Sequence, residues 1–167
     1  MEQFDFSYIS NDKLLGFYSK WIKELKARKI IRTNNIVGEL GEYLAIEYYN
    51  KTPGLPKLQA TPISTKSIDA VSNKGERYSI KSVTGKTTGV FYGIDKDSSP
   101  EKLFEYVIIV VLDEEYSIDM IIEISWENFL KYKHWHSRMN AWNLSITKKL
   151  IKDSKIIFQR KKYQDNK

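Results

Sequence analysis

Residues 67–84, SIDAVSNKGERYSIKSVT, carry the pattern that most strongly predicts the fold. Two short runs with alternating apolar residues, 68–71 and 77–83, flank the turn-like segment 72–76. This arrangement predicts a β-hairpin. The first run contains an acid, Asp69, and the second carries Lys81 at its centre, where a strand usually has an apolar or neutral residue.

Side chains of the second run alternate between the two faces of the predicted sheet. Tyr78 and Ile80 share an apolar face that belongs to the core, whereas Ser79 and Lys81 share the other face. We expect the side chain of Asp69 to emerge beside Ser79 and Lys81 if the strand register permits it. A carboxylate, a hydroxyl and an ammonium group would then converge.

A helix is predicted before the hairpin, from Asn34 or Asn35 to Tyr49, and the segment KTPGLP ends it. Its apolar stripe has the three-four spacing of an amphipathic helix. The residues of this stripe are Ile36, Val37, Leu40, Leu44, Ala45 and Tyr48.

Two glutamates of this helix, Glu39 and Glu42, are three residues apart and therefore share a helical face. Gly38 and Gly41 each precede one of them. Because glycine in a helix interior costs about 1 kcal/mol relative to alanine, the pair predicts that another backbone packs closely there. If that neighbour is the sheet, both glutamates come near Asp69.

The remaining segments alternate between helical and strand patterns. We expect a helix at 11–29, strands at 57–62, 105–112, 117–124, 141–146 and 155–158, and helices at 126–133, capped by Ser125, and 147–153. Residues 84–100 are predicted to be a partly ordered connection and 134–140 a loop. The order predicts one α/β domain with a mixed central β-sheet flanked by helices. Residues 1–33 form a helical extension, 34–158 the core, and 159–167 a basic tail that frays.

Composition narrows the class of protein. The 167 residues contain no cysteine, which excludes disulfides and cysteine-ligated zinc. Neither a secretory signal nor an apolar run long enough to span a bilayer is present, so we expect a cytoplasmic protein without membrane contact. The net charge of +6 favours a polyanionic partner such as nucleic acid.

Clustered oxygen ligands beside a lysine are what a magnesium-dependent phosphodiesterase needs. Mg²⁺ takes one or two carboxylates and keeps several waters. It activates a water and neutralises charge on the phosphate. A lysine such as Lys81 can orient the attacking water and stabilise the oxyanion.

The order GELGEYLA, IDAV and YSIK resembles the PD-(D/E)XK nuclease superfamily, which includes many restriction endonucleases. The resemblance covers roughly residues 35–84 and implies a restriction-endonuclease-like core in a Mg²⁺-dependent DNA endonuclease, with Mn²⁺ as a substitute and a restriction or phage-defence role. It implies catalytic roles for Asp69, Lys81, Glu42 and Ser79, and metal contacts from Asp69, the Ile80 carbonyl, Glu42 and, more weakly, Glu39. The chain departs from the family at Ser79, where an acid is usual.

A DNA substrate needs cationic and polar contacts outside the catalytic residues. The candidates are Arg32, Lys66, Lys86, Thr87, Lys133, His134 and Arg138. Cleavage of both strands needs two active sites, so we expect a homodimer.

Other interpretations remain open. The chain can be a catalytically inactive nucleic-acid-binding module or nuclease subunit of the same fold, or a basic α/β interaction protein. The GKT at 85–87 lacks the earlier glycine of a phosphate-binding loop. His134 and His136 alone are weak grounds for a zinc site, and the acids around 113–119 are expected to form a solvated turn.

Overall fold

A mixed six-stranded sheet organises the chain in a computed structural model, which describes residues 5–63, 65–96 and 101–161. The helices are α1 (Asn11–Ala27), α2 (Ile36–Lys51), α3 (Trp126–Tyr132) and α4 (Lys148–Lys152), with a 3-10 turn at Ser137–Met139. The strands are β1 (Leu58–Ala60), β2 (Ala70–Ser72), β3 (Arg77–Val83), β4 (Tyr106–Leu112), β5 (Ile118–Ser125), β6 (His134–His136), β7 (Ala141–Asn143) and β8 (Lys155–Gln159). The sheet order is β1-β2-β3-β4-β5-β8, and β6 pairs with β7 separately.

The β3–β4 pair is parallel, and the other neighbours in the large sheet are antiparallel. A parallel pair needs a crossover connection, which the chain supplies between β3 and β4. The prediction of an α/β domain with a mixed central sheet is therefore confirmed.

Both faces of the central strands are covered, which explains the almost uninterrupted apolar run of β4. On one face, Ala45 and Tyr49 of α2 pack against the cluster that contains Tyr78 and Ile80. On the other face, Phe129 of α3 and Leu150 of α4 join a second cluster. The predicted alternation along β3 is confirmed, because Tyr78 and Ile80 lie on the α2 side and both are buried.

Helix caps follow the sequence where a polar side chain stands at the right position. Asn35 caps α2 by accepting a hydrogen bond from the Gly38 amide, and Ser125 caps α3 by accepting one from Asn128. The α1 helix lacks such a cap, because Ser10 holds the cap position without a side-chain hydrogen bond.

The prediction that another backbone packs closely against the two glycines of α2 holds for one of them. A Cβ on Gly41 would lie 2.2 Å from the Cβ of Ser82, so α2 rests directly on β3 at this point. At Gly38 the neighbour is the side chain of Asn35, and the cap of the same helix explains this glycine better than the sheet does.

The expectation of a loop at 134–140 is wrong, because 134–136 form β6 and pair with β7. The predicted strand at 141–146 pairs with β6 only over residues 141–143. Its second half instead meets the segment 84–96, where Ile146 donates its amide to the carbonyl of Lys86 at 2.7 Å. Such a non-local pairing is invisible to periodicity, since both segments are short.

The connection predicted at 84–100 is held in place over its described part, 84–96. The Thr88 amide bonds to the Leu144 carbonyl at 2.9 Å, and the Phe91 amide bonds to the Trp142 carbonyl at 2.7 Å. Residues 97–100 lie outside the described part of the chain. We refer to residues 84–96 together with residues 133–143, which include β6 and β7, as the cover layer.

Several predicted boundaries shift by one to two residues. The α1 helix ends before Lys29, which takes a left-handed conformation with φ of 58°, and β2 begins at Ala70, one residue after Asp69. At the other end, Arg160 is not frayed as expected, because its guanidinium contacts Asp113 at 2.6 Å. Residues 162–167 of the predicted tail lie outside the described part.

The predicted extension at 1–33 makes contact with the core at its end, where Ile31 is buried and Arg32 binds residues of α2. Among the described residues, no helix has the length and apolar character needed to cross a membrane.

Candidate active site

The site forms where β2 and β3 separate. The two strands pair at Ala70 with Tyr78 and at Val71 with Arg77, after which β3 continues to Val83. Asp69 stands at this fork, and its carboxylate Oδ2 accepts the Ile80 amide at 2.6 Å. The carboxylate thus replaces the missing strand as the partner of β3.

Two further donors reach the same oxygen of Asp69. Ser79 Oγ lies 3.2 Å from it and Lys81 Nζ lies 3.4 Å from it. Lys81 Nζ also donates to the Ile80 carbonyl at 3.2 Å. The structure therefore brings together the carboxylate, hydroxyl and ammonium groups that the hairpin pattern suggested, and it adds a main-chain carbonyl.

Lys81 lies in a mostly apolar environment at the rim of the cover layer. Its Nζ is 5.3 Å from the centroid of the Phe91 ring, and its side chain is 23% exposed. A cation over an aromatic face in a partly desolvated place interacts favourably with the ring. The ammonium group is thus held between an acid and an aromatic ring, while still open to a ligand.

A cavity of about 110 Å³ opens in front of these groups. Its lining consists of Ser67, Asp69, Ser79, Lys81, Val90, Phe91, Tyr92 and Phe104. Sequence reasoning missed Ser67, Phe91 and Tyr92, although the run VFYG inside a polar segment was a signal that this part is anchored. Ser67 Oγ donates to the Tyr92 carbonyl at 3.3 Å and so fixes one wall of the cavity.

Arg32 holds both glutamates of α2. Its backbone amide and its Nε donate to Glu39 at 2.9 and 3.2 Å, and its Nη2 contacts Glu42 at 2.6 Å. Its Nη1 donates to the Thr61 carbonyl, next to β1. One guanidinium therefore ties α2, the end of β1 and the α1–α2 connection together, and we call this set of contacts the arginine clamp.

The electrostatics of the two glutamates differ. Burial favours the neutral form of Glu39, but the hydrogen bonds from Arg32 outweigh this effect. The pKa of Glu39 therefore lies below its usual value. Burial and then repulsion from Asp69 raise the pKa of Glu42 to about 7, against the opposing effects of Arg32 and Lys81. Glu42 thus belongs electrostatically to the group around Asp69, and a cation placed nearby would relieve this repulsion.

The donor set fits Mg²⁺ better than a metal that needs many side chains. Within residues 5–63, 65–96 and 101–161, no group of three or more His, Asp or Glu side chains lies close enough to hold a metal. Mg²⁺ accepts one or two carboxylates and completes its shell with water. Asp69, Glu42 and the Ile80 carbonyl are donors of this type, whereas both contacts of Glu39 in the arginine clamp go to one of its oxygens.

The residues predicted to contact DNA occupy three places. Arg32 is in the clamp, and Lys66 is exposed just before the cavity wall. The others belong to the cover layer or join it: Lys86, Thr87, Lys133, His134 and Arg138. Their contact with DNA stays a prediction.

Lysine side chains of the cover layer pack over aromatic rings. Lys133 Nζ lies 3.8 Å from the centroid of the Trp142 ring, and burial lowers the pKa of Lys133. Trp142 in turn packs edge-on against Trp135. His136 accepts the Met139 amide through Nδ1 and caps the 3-10 turn, which explains this histidine without a metal.

Comparison with known proteins found no family model that matches the sequence and no matching curated protein.

Proposed function

We propose that the chain is a Mg²⁺-dependent endonuclease that hydrolyses phosphodiester bonds in DNA, built on a restriction-endonuclease-like core. The observation that carries the proposal is the position of Lys81 Nζ, within 3.4 Å of Asp69 Oδ2 and 3.2 Å of the Ile80 carbonyl. The Asp69 carboxylate lies there against the edge of β3, next to the carbonyl and the lysine that β3 supplies and beside a cavity. This is the arrangement that a metal-activated water and a phosphate both require.

Asp69, the Ile80 carbonyl and Glu42 would hold the ion, and Mn²⁺ could replace Mg²⁺. When bound, the ion supplies an acidified water and neutralises negative charge on the scissile phosphate. Lys81 positions the water and stabilises the charge that develops on the phosphate oxygens. Ser79 holds Asp69 Oδ2 in place through its hydrogen bond.

The arginine clamp keeps Glu42 beside the site. Without Arg32, Glu42 would face the repulsion from Asp69 with no nearby cation except Lys81. Arg32 is therefore a positioning residue in this proposal. The cover layer and Lys66 would bind the phosphates on either side of the cleaved bond.

A cleavage assay tests the proposal. Purified protein is incubated with supercoiled plasmid in Mg²⁺, in Mn²⁺ and in EDTA, and nicked and linear products are counted. We expect cleavage with either metal and none in EDTA. Asp69→Asn and Lys81→Ala should each lower the rate by a factor of about 100 or more, since each removes charge that acts on the transition state.

Lys74→Ala is the matched control, because Lys74 is exposed in the turn of the same hairpin. Circular dichroism on each variant checks that the fold is intact. Cleavage by Lys81→Ala at the wild-type rate would refute the assigned role. Cleavage in EDTA would refute the need for metal.

A second candidate is a nucleic-acid-binding module or nuclease subunit that has lost catalysis. Ser79 favours it, because this buried residue offers a hydroxyl where the resemblance expects an acid. Salt-sensitive DNA binding without cleavage would support this candidate. If the protein binds no DNA even at low salt, a basic interaction protein remains.

A further inference from the structure

The N-terminal helix exposes an apolar face to solvent. None of the residues of α1, all of which the structure describes, is buried. Leu14, Leu15, Tyr18 and Trp21 are between 41% and 68% exposed. Side chains of this size on one face of a helix usually pack against another element, because an isolated helix of this length is marginal in water.

A broad groove of about 790 Å³ runs along this face. Its lining comprises Phe6, Leu14, Phe17, Tyr18, Lys20, Trp21 and Glu24. Phe6 meets Phe17 edge-on, with ring centroids 6.5 Å apart, and extends the apolar surface beyond the helix. A contiguous apolar patch of this kind marks an interaction surface.

We propose that this face is where two copies of the chain associate, with α1 packed against α1 in antiparallel orientation about a point near Tyr18. The exposed apolar residues of the helix, from Leu14 to Trp21, are centred close to that residue. A surface that meets its own copy across a two-fold axis must be self-complementary. This inference rests on α1 alone and does not depend on nuclease activity.

Charge along the helix selects the antiparallel arrangement. Glu24 lines the groove near the end of α1, and Lys13 lies on the same side of the helix, because the chain between them makes about three turns. An antiparallel pair centred near Tyr18 places Lys13 of one copy close to Glu24 of the other. A parallel pair would place like charges together and align the two helix dipoles unfavourably.

The apolar area is sufficient for a dimer. Phe6, Tyr8, Phe17, Tyr18 and Trp21 are each 43% to 91% exposed. With roughly 200 Å² for each aromatic side chain, their exposed parts amount to roughly 600 Å² per copy before the leucines are added. A standard interface uses about 800 Å² on each partner, so this surface is near that size.

The dimer would also have a consequence for the candidate site. The α1 helix leads within a few residues to Arg32, which holds Glu39 and Glu42. Pairing of the two α1 helices would therefore fix the separation of two sites. Such coupling suits an enzyme that must cut two strands.

Sedimentation of the purified full-length chain at micromolar concentration tests association. We expect a dimer for the wild type and a monomer for Tyr18→Glu, because the glutamate places a charge in the apolar contact. Gly16→Glu is the matched control, since a Cβ at Gly16 meets no atom within 4 Å and the residue lies on the opposite side of the helix. A monomeric wild type, or a Tyr18→Glu variant that remains dimeric, overturns the proposal.

The absence of cysteine allows a clean test of orientation. Disulfide formation needs Cα atoms about 4.4–6.8 Å apart, whereas positions 14 and 21 are roughly 10 Å apart along a helix. An antiparallel pair predicts that Leu14→Cys and Trp21→Cys cross-link when mixed, and weakly when each is alone. Efficient cross-linking of each variant with itself would show a parallel pair and overturn the proposed arrangement.

A vesicle-binding measurement tests whether this face of α1 binds a membrane surface instead of a second copy of the chain. Basic amphipathic helices also bind anionic membranes. The wild-type chain is mixed with vesicles of phosphatidylcholine with or without phosphatidylserine. Binding to the anionic vesicles by a chain that is monomeric in solution would overturn the dimer proposal.

Discussion

Ser79 determines the charge balance of the candidate site. Asp69 Oδ2 already accepts from the Ile80 amide, Ser79 Oγ and Lys81 Nζ. With serine at this position, the Asp69 carboxylate is matched by the Lys81 ammonium group, and Glu42 is matched by Arg32. An acid at the same position would add a negative charge in a place that is 1% exposed.

We predict that Ser79→Asp makes the stability of the fold depend on metal. Two adjacent carboxylates repel in a closed site, so the free energy of unfolding in EDTA should fall. Mg²⁺ or Mn²⁺ should restore it, because a ligand that binds the native state alone stabilises that state. Urea unfolding with and without metal should show a metal-dependent gain larger than that of the wild type by about 1 kcal/mol or more.

Ser79→Asn is the control for this experiment, because asparagine has the shape of aspartate without its charge. It should lower stability equally with and without metal. If Ser79→Asp and Ser79→Asn respond to metal in the same way, a carboxylate at position 79 takes no part in binding a cation and the prediction is refuted.

Some residues of the site could be predicted from the sequence and others could not. Asp69 and Lys81 were accessible because strand alternation and a short turn fix their relation. The role of Arg32 was not, since its contacts with α2 and with Thr61 exist only in the folded chain. Phe91 and Tyr92 were missed because nothing local indicates that their segment folds over Lys81.

The same contrast holds for whole elements. Long or regular apolar patterns predicted the positions of α2, β3, β4 and β5 well. The β6 strand has three residues, and its pairing with β7 depends on a 3-10 turn that His136 caps. Short strands of this kind depend on tertiary contact, which periodicity does not contain.

We predict that Gly41→Ala loosens the contact between α2 and β3. The added methyl group would lie 2.2 Å from the Ser82 Cβ, so one of the two elements must move. Overpacking costs about 1–3 kcal/mol, and alanine returns up to about 1 kcal/mol of helix propensity. Chemical denaturation should show a net loss of about 1–2 kcal/mol in the free energy of unfolding.

The Ser82 hydroxyl makes this site more sensitive, because it donates to the Val37 carbonyl at 2.6 Å and cannot easily turn away. The double variant Gly41→Ala with Ser82→Gly should regain part of the loss. Gly16→Ala, in open space on α1, should cost nothing. An equal loss for Gly16→Ala and Gly41→Ala would refute close packing as the cause.

At the scale of the whole molecule, the net charge of +6 is distributed unevenly. One group of cations follows α1 and its end, and another belongs to the cover layer beside Lys81. Among the acids, Glu42 and Asp69 belong to the candidate site itself. This distribution would suit the proposed nuclease, in which cations hold the phosphate backbone while the acids hold a metal at one phosphate.

We predict that DNA binding depends on the cover layer more than on total charge. Lys86→Glu and Arg138→Glu each change the net charge by the same amount as Lys74→Glu, which alters the distant hairpin turn. In the presence of Ca²⁺ or EDTA, fluorescence anisotropy at several salt concentrations gives the binding constant and its salt slope. Each cover-layer variant should lower the slope by about 1, because one phosphate contact is lost. Lys74→Glu should leave the slope unchanged. Equal losses for all three variants would mean that the protein attracts DNA through its net charge alone, and the cover layer would then have no part in holding the substrate over Lys81.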